Sequence, residues 1–209
     1  MKCLFSYVII VAFTAGGFLI SSCGGNSPVR FYVLSPTKEV SRIQTEQGRP
    51  WPIVGVGPIK MPRYLDRPQI VTSSGESEIF LSENDRWAEP LTDNFTRVIA
   101  QNLYALRCAK NVVTYPWSPS ISCDYVVKAE VLRMDGTLGG TASLEVWWSI
   151  ADGVRKGQLV SKRSNYNEPT KGPGYAALVE AQNRALGDFS REIAEELMKL
   201  CVPSVMSRL

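Results

Sequence analysis

The chain has 209 residues, a formal net charge of +3 and no histidine. Without imidazole there is no Ser-His-Asp or Cys-His catalysis and no His-ligated metal site. The nearly balanced charge argues against a nucleic-acid partner.

The chain opens with Lys2, an apolar stretch over 7–20 and two small residues, Ser21 and Ser22, before Cys23. These are the three parts of a secretory signal. The stretch is short for a membrane span, which needs about 20 apolar residues. The box Ile20-Ser21-Ser22-Cys23 closely resembles the bacterial lipoprotein signal. That resemblance implies removal of residues 1–22 and acylation of Cys23, the only lipidation candidate. One acyl chain holds a protein marginally, and the modification in that family supplies three. Gly24 is not the Asp that often retains such proteins at the inner membrane, which favours the outer one.

Residues 23–30 read as a lipidated tether too small and polar to pack, and 31–203 as the folded domain. A strand is expected over 31–34 and a polar surface loop over 37–50. Residues 53–59 alternate as a buried strand, in which Gly55 allows close backbone approach. Two prolines make 61–68 irregular. A hairpin follows, with strands at 69–72 and 78–82 and turn chemistry at 73–75. The first helix carries Leu91, Phe95, Val98, Ile99, Asn102, Leu103 and Leu106 on one face. Asn84 or Asp85 is expected to cap it, with Pro90 in its first turn. Asn94-Phe95-Thr96 matches a glycosylation sequon by chance.

A short strand at 112–115 leads to a Pro/Ser loop at 116–122. Residues 125–131 and 142–150 alternate as antiparallel strands around a wide turn that begins at Asp135-Gly136. Trp147 and Trp148 point to opposite faces, so one of them is expected outside the core. After a turn at Asp152-Gly153, 159–166 forms an edge strand, where Lys162 and Arg163 discourage strand addition. The longest element spans 175–201, with Leu178, Ala181, Ala185, Phe189, Ile193, Leu197 and Leu200 in one stripe. Pro203 ends it. The fold class is α+β: a single domain, mostly antiparallel sheet, with two main helices packed on it.

No catalytic set emerges. Glu83, Asp85 and Glu89 are what a helix start prefers electrostatically. Gly55-Val56-Gly57-Pro58 lacks the third glycine of a dinucleotide loop. No metal or cofactor is expected. Three cysteines fall in the folded part. Cys108 and Cys123 are the disulfide candidates closest in sequence, and Cys201 competes for either; three free thiols are the equal alternative. A set of aromatic and proline residues reads as exposed: Pro62, Tyr64, Pro68, Trp87, Tyr115, Pro116 and Trp117. A cation–π contact between Arg86 and Trp87 is possible.

Several stretches together resemble one family. They are Phe31-Tyr32-Val33-Leu34, Val54-Gly55-Val56-Gly57-Pro58-Ile59, Met61-Pro62, Tyr64-Leu65-Asp66-Arg67-Pro68-Gln69-Ile70-Val71, Arg86-Trp87-Ala88-Glu89-Pro90-Leu91 and Tyr115-Pro116-Trp117. Their order and spacing are similar to those of the PqiC-like lipoproteins, auxiliary components of ABC-type and MCE-domain transport systems. The resemblance implies a non-catalytic protein on the periplasmic face of the outer membrane. Its partners would be inner-membrane transport components and a periplasm-spanning MCE-domain protein, in systems linked to lipid movement and envelope integrity. The density of aromatic, Arg and Pro residues marks Tyr64, Leu65, Asp66, Arg67, Arg86 and Trp87 as partner-binding candidates. A homo-oligomeric ring would suit a tubular partner. The competing reading is an assembly lipoprotein of another outer-membrane complex with no transport role.

Overall fold

Eight strands and two helices make up the described part of the chain, which in this computed structural model comprises residues 28–37, 51–75 and 77–201. The signal, Cys23, most of the tether, nearly all of the 37–50 loop and Pro203 lie outside it. The elements are β1 (Arg30–Tyr32), β2 (Ile53–Lys60), β3 (Gln69–Ser74), β4 (Glu78–Trp87), α1 (Leu91–Ala105), β5 (Asn111–Thr114), β6 (Tyr125–Gly136), β7 (Thr141–Asp152), β8 (Gln158–Pro169) and α2 (Tyr175–Cys201). The α+β fold is as expected, but the strands divide into two mixed sheets. A large sheet has the order β5-β2-β6-β7-β8, and a small one the order β1-β4-β3.

Alternation builds the large sheet. Leu144, Val146, Trp148 and Ile150 of β7 point inward with Val127, Ala129 and Val131 of β6. The intervening residues face out, so Trp148 is 1% exposed and its neighbour Trp147 is 57% exposed. β6, β7 and β8 form an antiparallel meander, with β8 on the edge. β2 runs parallel to both β5 and β6.

The helices cover the inner face, α1 over β2 and β5, and α2 over β7 and β8. The two stripes meet at Phe189, whose ring centroid lies 6.3 Å from Phe95, 5.8 Å from Trp148 and 5.9 Å from Tyr166. Buried amides tie the chain start to α1. Asn94 Oδ1 accepts the Leu34 N–H at 2.6 Å, and its Nδ2 donates to the Leu34 carbonyl at 3.1 Å. Both polar ends of Asn94 are thus spent inside the protein, which leaves the sequon unusable.

Three expectations need correction. Asn84 and Asp85 do not cap α1: β4 continues through them to Trp87, and Pro90 stands at the helix N-cap without a side-chain cap. Asp85 is held inside the strand by one cation and two hydroxyl donors. Arg30 reaches it with Nε at 2.9 Å, Tyr32 donates to it at 2.8 Å and Ser82 at 3.1 Å. Ser73 belongs to β3 rather than a turn, and Asp135 and Gly136 belong to β6. The reason is a shared buried contact. Ser73 Oγ donates to Asp135 Oδ1 at 3.0 Å, and Arg133 Nε donates to the same oxygen at 2.8 Å.

Candidate docking surface

Two stretches far apart in sequence meet at one corner of the small sheet. In the turn before β3, the Pro62 carbonyl accepts the N–H groups of Leu65 and Asp66 at 2.9 and 3.1 Å. Proline at 62 and 68 fixes φ and removes two donors, so this segment turns rather than pairs. The Pro68 carbonyl then accepts the Trp87 N–H at 2.6 Å, and Gln69 stands in register with Arg86. The segment 64–67 therefore lies against the end of β4.

The six candidates split in two. Leu65 is 1% exposed and Trp87 5%, so both belong to the hydrophobic core and neither offers a contact surface. Trp87 points inward because it alternates with Arg86 along β4, on the same side as Asp85. Leu65 anchors the turn. Asp66 is exposed, and Tyr64, Arg67 and Arg86 are half-buried. Burial pushes the Tyr64 phenol above its ordinary pKa, Asp135 pushes it the same way, and Arg133 opposes them. Arg67 Nε is buried and has no hydrogen-bond partner among the described residues. An unmatched buried donor costs about 1–3 kcal/mol. Within the corner this is the buried side-chain donor left unmatched among the described residues.

Other parts of the aromatic set lie elsewhere. Tyr115 and Trp117 pack edge to face at 5.7 Å, and the Tyr115 N–H donates to the Val56 carbonyl at 2.8 Å. The Trp117 ring lies over Gly55, where a Cβ would fall 2.7 Å from it. This is the close approach the glycine permits. Tyr115 is exposed and Trp117 half-buried. The cation–π contact among the described residues is Lys162 over Trp148, at 5.9 Å, rather than Arg86 on Trp87.

Cys108 and Cys123 are free thiols rather than a bridge. Cys108, just past α1, donates to the Leu103 carbonyl at 3.3 Å. Burial, opposed by a hydrogen bond with its own backbone and assisted by the nearby Cys201, pushes its pKa up to about 12. Cys123 packs instead beneath β2, with its Sγ 3.0 Å from the Cβ position of Gly55. The two candidates face different neighbours. Among the described residues no cluster of Cys, Asp and Glu side chains is arranged to hold a metal, and no helix is long and apolar enough to cross a membrane.

The sequence matches the family model for the ABC-type transport auxiliary lipoprotein component over residues 32–194. The chain belongs to that family. The match runs from the end of β1 through most of α2 and takes in the candidate corner. No curated protein matches the sequence. Similar solved structures include an uncharacterised protein, 17% identical, with a TM-score of 0.66 over 82% of this chain and 99% of its own. Protein XCC0632 from Xanthomonas campestris is also 17% identical, with a TM-score of 0.64 over 81% of this chain and 95% of its own. At such identity they share the fold with this auxiliary lipoprotein.

Sequence patterns did not disclose one polar network of this lipoprotein. Glu192 of α2 accepts from Lys162 Nζ at 3.1 Å and Ser164 Oγ at 2.8 Å, and from the Tyr166 hydroxyl through a short contact. All three donors lie on β8, and their i, i+2 spacing was the available signal. Burial alone would raise the Glu192 pKa. The hydrogen bonds from Tyr166, Ser164 and Lys162 outweigh it and hold the carboxyl below its ordinary value. A lowered carboxylate pKa stabilises the fold above the ordinary value, and that contribution is lost as pH falls through the folded one. Glu192→Gln is therefore expected to cost about 2 kcal/mol at pH 7. The difference from the parent should narrow below about pH 4, which urea denaturation at several pH values measures.

Proposed function

We propose that this chain is the lipid-anchored docking subunit of an ABC/MCE-type transport system. Acylated Cys23 holds it to the periplasmic face of the outer membrane. There it receives a periplasm-spanning MCE-domain protein driven from the inner membrane, in lipid trafficking that maintains the envelope. Its part is to bind and position, with no catalysis. The family match over 32–194 carries this reading, and the lipoprotein box ending at Cys23 supports the anchor.

The turn that carries Asp66 and Arg67 is the docking element. Leu65 and Trp87 fix the backbone from inside, so the turn presents a defined shape. Asp66 is exposed and Arg67 half-buried on that turn, and together they offer a partner an acceptor and a charged donor from a backbone already ordered. Replacing Asp66 and Arg67 together with Ala removes no internal hydrogen bond from their side chains. The double variant should therefore melt within a few degrees of the parent, yet no longer co-purify the MCE-domain partner from solubilised membranes. Undiminished co-purification would rule this turn out as the docking element.

A further inference from the structure

β1 of the small sheet differs in polarity from β7 of the large one. On β7 the apolar residues face the helices and Glu145 and Ser149 face out. On β1 the polar side chains lean toward the buried Asp85: Tyr32 and the 63% exposed Arg30 both reach it. Successive side chains of a strand point to opposite faces, so Val29 and Phe31 are left outside, 45% and 65% exposed. Phe31 stands in register with Arg86, which stands in register with Gln69. Val29 and Leu81, the latter 42% exposed, line one open concavity with Arg86 and Gln69. The outer side of β1 and β4 is therefore an apolar strip with a guanidinium beside it.

We propose that this strip of Val29, Phe31 and Leu81 rests on the lipid surface that holds the Cys23 anchor. The inference depends on the anchored docking subunit described above. Chain length supports a lipid occupant over a second copy. Val29 is only six residues beyond Cys23, so the strip begins within about 20 Å of the acylated residue even with the tether fully extended. Scattered apolar side chains on a surface need no explanation. A strip at the point where the chain leaves its anchor does. Its chemistry also suits an interface. Apolar side chains enter the boundary between headgroups and acyl chains. Arg86 lays its stem along that surface and keeps its charge among the headgroups. Glu83 and Asn84 line the same concavity, and their polar ends would stay among headgroups and water.

The consequence is orientation. An acyl anchor alone leaves the domain free to tumble at the end of its tether. The strip would fix which side faces the bilayer. Arg86 stands at the border between the strip and the Asp66–Arg67 turn, so the partner would meet this subunit at the membrane surface rather than at its far end.

Photocrosslinking in isolated membranes tests this on the full-length protein. A benzophenone side chain replaces Phe31, Leu81 or, as control, Trp147 on the outer face of the large sheet, each in a separate variant. After irradiation the peptides that contain positions 31 and 81 are expected to gain the mass of one phospholipid, and the position-147 peptide none. Two probed positions keep the test decisive if one variant fails to fold. Adducts from 31 and 81 to a second copy or to another protein would overturn the proposal. So would equal lipid labelling at all three positions, or none at 31 and 81 in a protein whose Cys23 peptide is acylated. An unacylated Cys23 peptide would overturn the anchor and the strip together, and mass spectrometry of the same digest separates these cases.

Discussion

Phe189→Ala is expected to lower stability by about 4 kcal/mol and the melting midpoint by roughly 10 °C. Phe189 is fully buried on α2 and touches three other aromatic rings, one each from α1, β7 and β8. Its removal leaves a cavity that rigid neighbours on three elements cannot close together. The loss compares with a total stability of about 5–15 kcal/mol for a protein of this kind. Phe189→Leu keeps most of the volume and is expected to cost about 1 kcal/mol. Thermal denaturation of the two variants checks both values. Equal effects would mean that ring packing is not what joins the helices to the sheet.

Exchanging residues 1–23 for a cleavable secretory signal that leaves no cysteine is expected to move the protein from the membrane to the soluble periplasmic fraction. No helix among the described residues can take over the anchor. The strip of Val29, Phe31 and Leu81 is too small to hold the protein when even one acyl chain binds only marginally. The effect should be close to complete, and fractionation with immunodetection reads it directly. A protein that stayed in the membrane would have a second means of attachment.

How far the residues announced this arrangement depends on where each signal lay. α2 was legible to its ends, because its apolar stripe persists over seven turns and a flanking proline follows. The β6–β7–β8 meander was legible from strict alternation, down to the opposite fates of Trp147 and Trp148. The second half of β4 was not. Its polar run Ser82-Glu83-Asn84-Asp85 has the composition of a helix cap, and only the distant Arg30 and Tyr32 explain why Asp85 stays in a strand. The parallel pairing of β2 with β5 and β6 was hidden for a similar reason: both partners lie more than fifty residues further on.

The candidate corner was legible in content and not in depth. Pro68 and Gln69 do meet Arg86 and Trp87, a pairing that their composition alone did not specify. Burial then reassigns Leu65 and Trp87 to the core. Density of interface-type residues marks a place, but a large apolar side chain at such a place is as readily its support as its surface. The cysteines show the same limit. Nearness in sequence favoured Cys108 with Cys123, whereas the fold sets them against different neighbours.

The most direct test of an anchored docking subunit is affinity purification of the tagged protein from solubilised envelopes, with mass spectrometry of all that is recovered. The expected result is a chain beginning at acylated Cys23, together with an MCE-domain protein and its ABC-type transport partners. Recovery of an acylated chain bound to a different outer-membrane complex, with no transport component present, would contradict it.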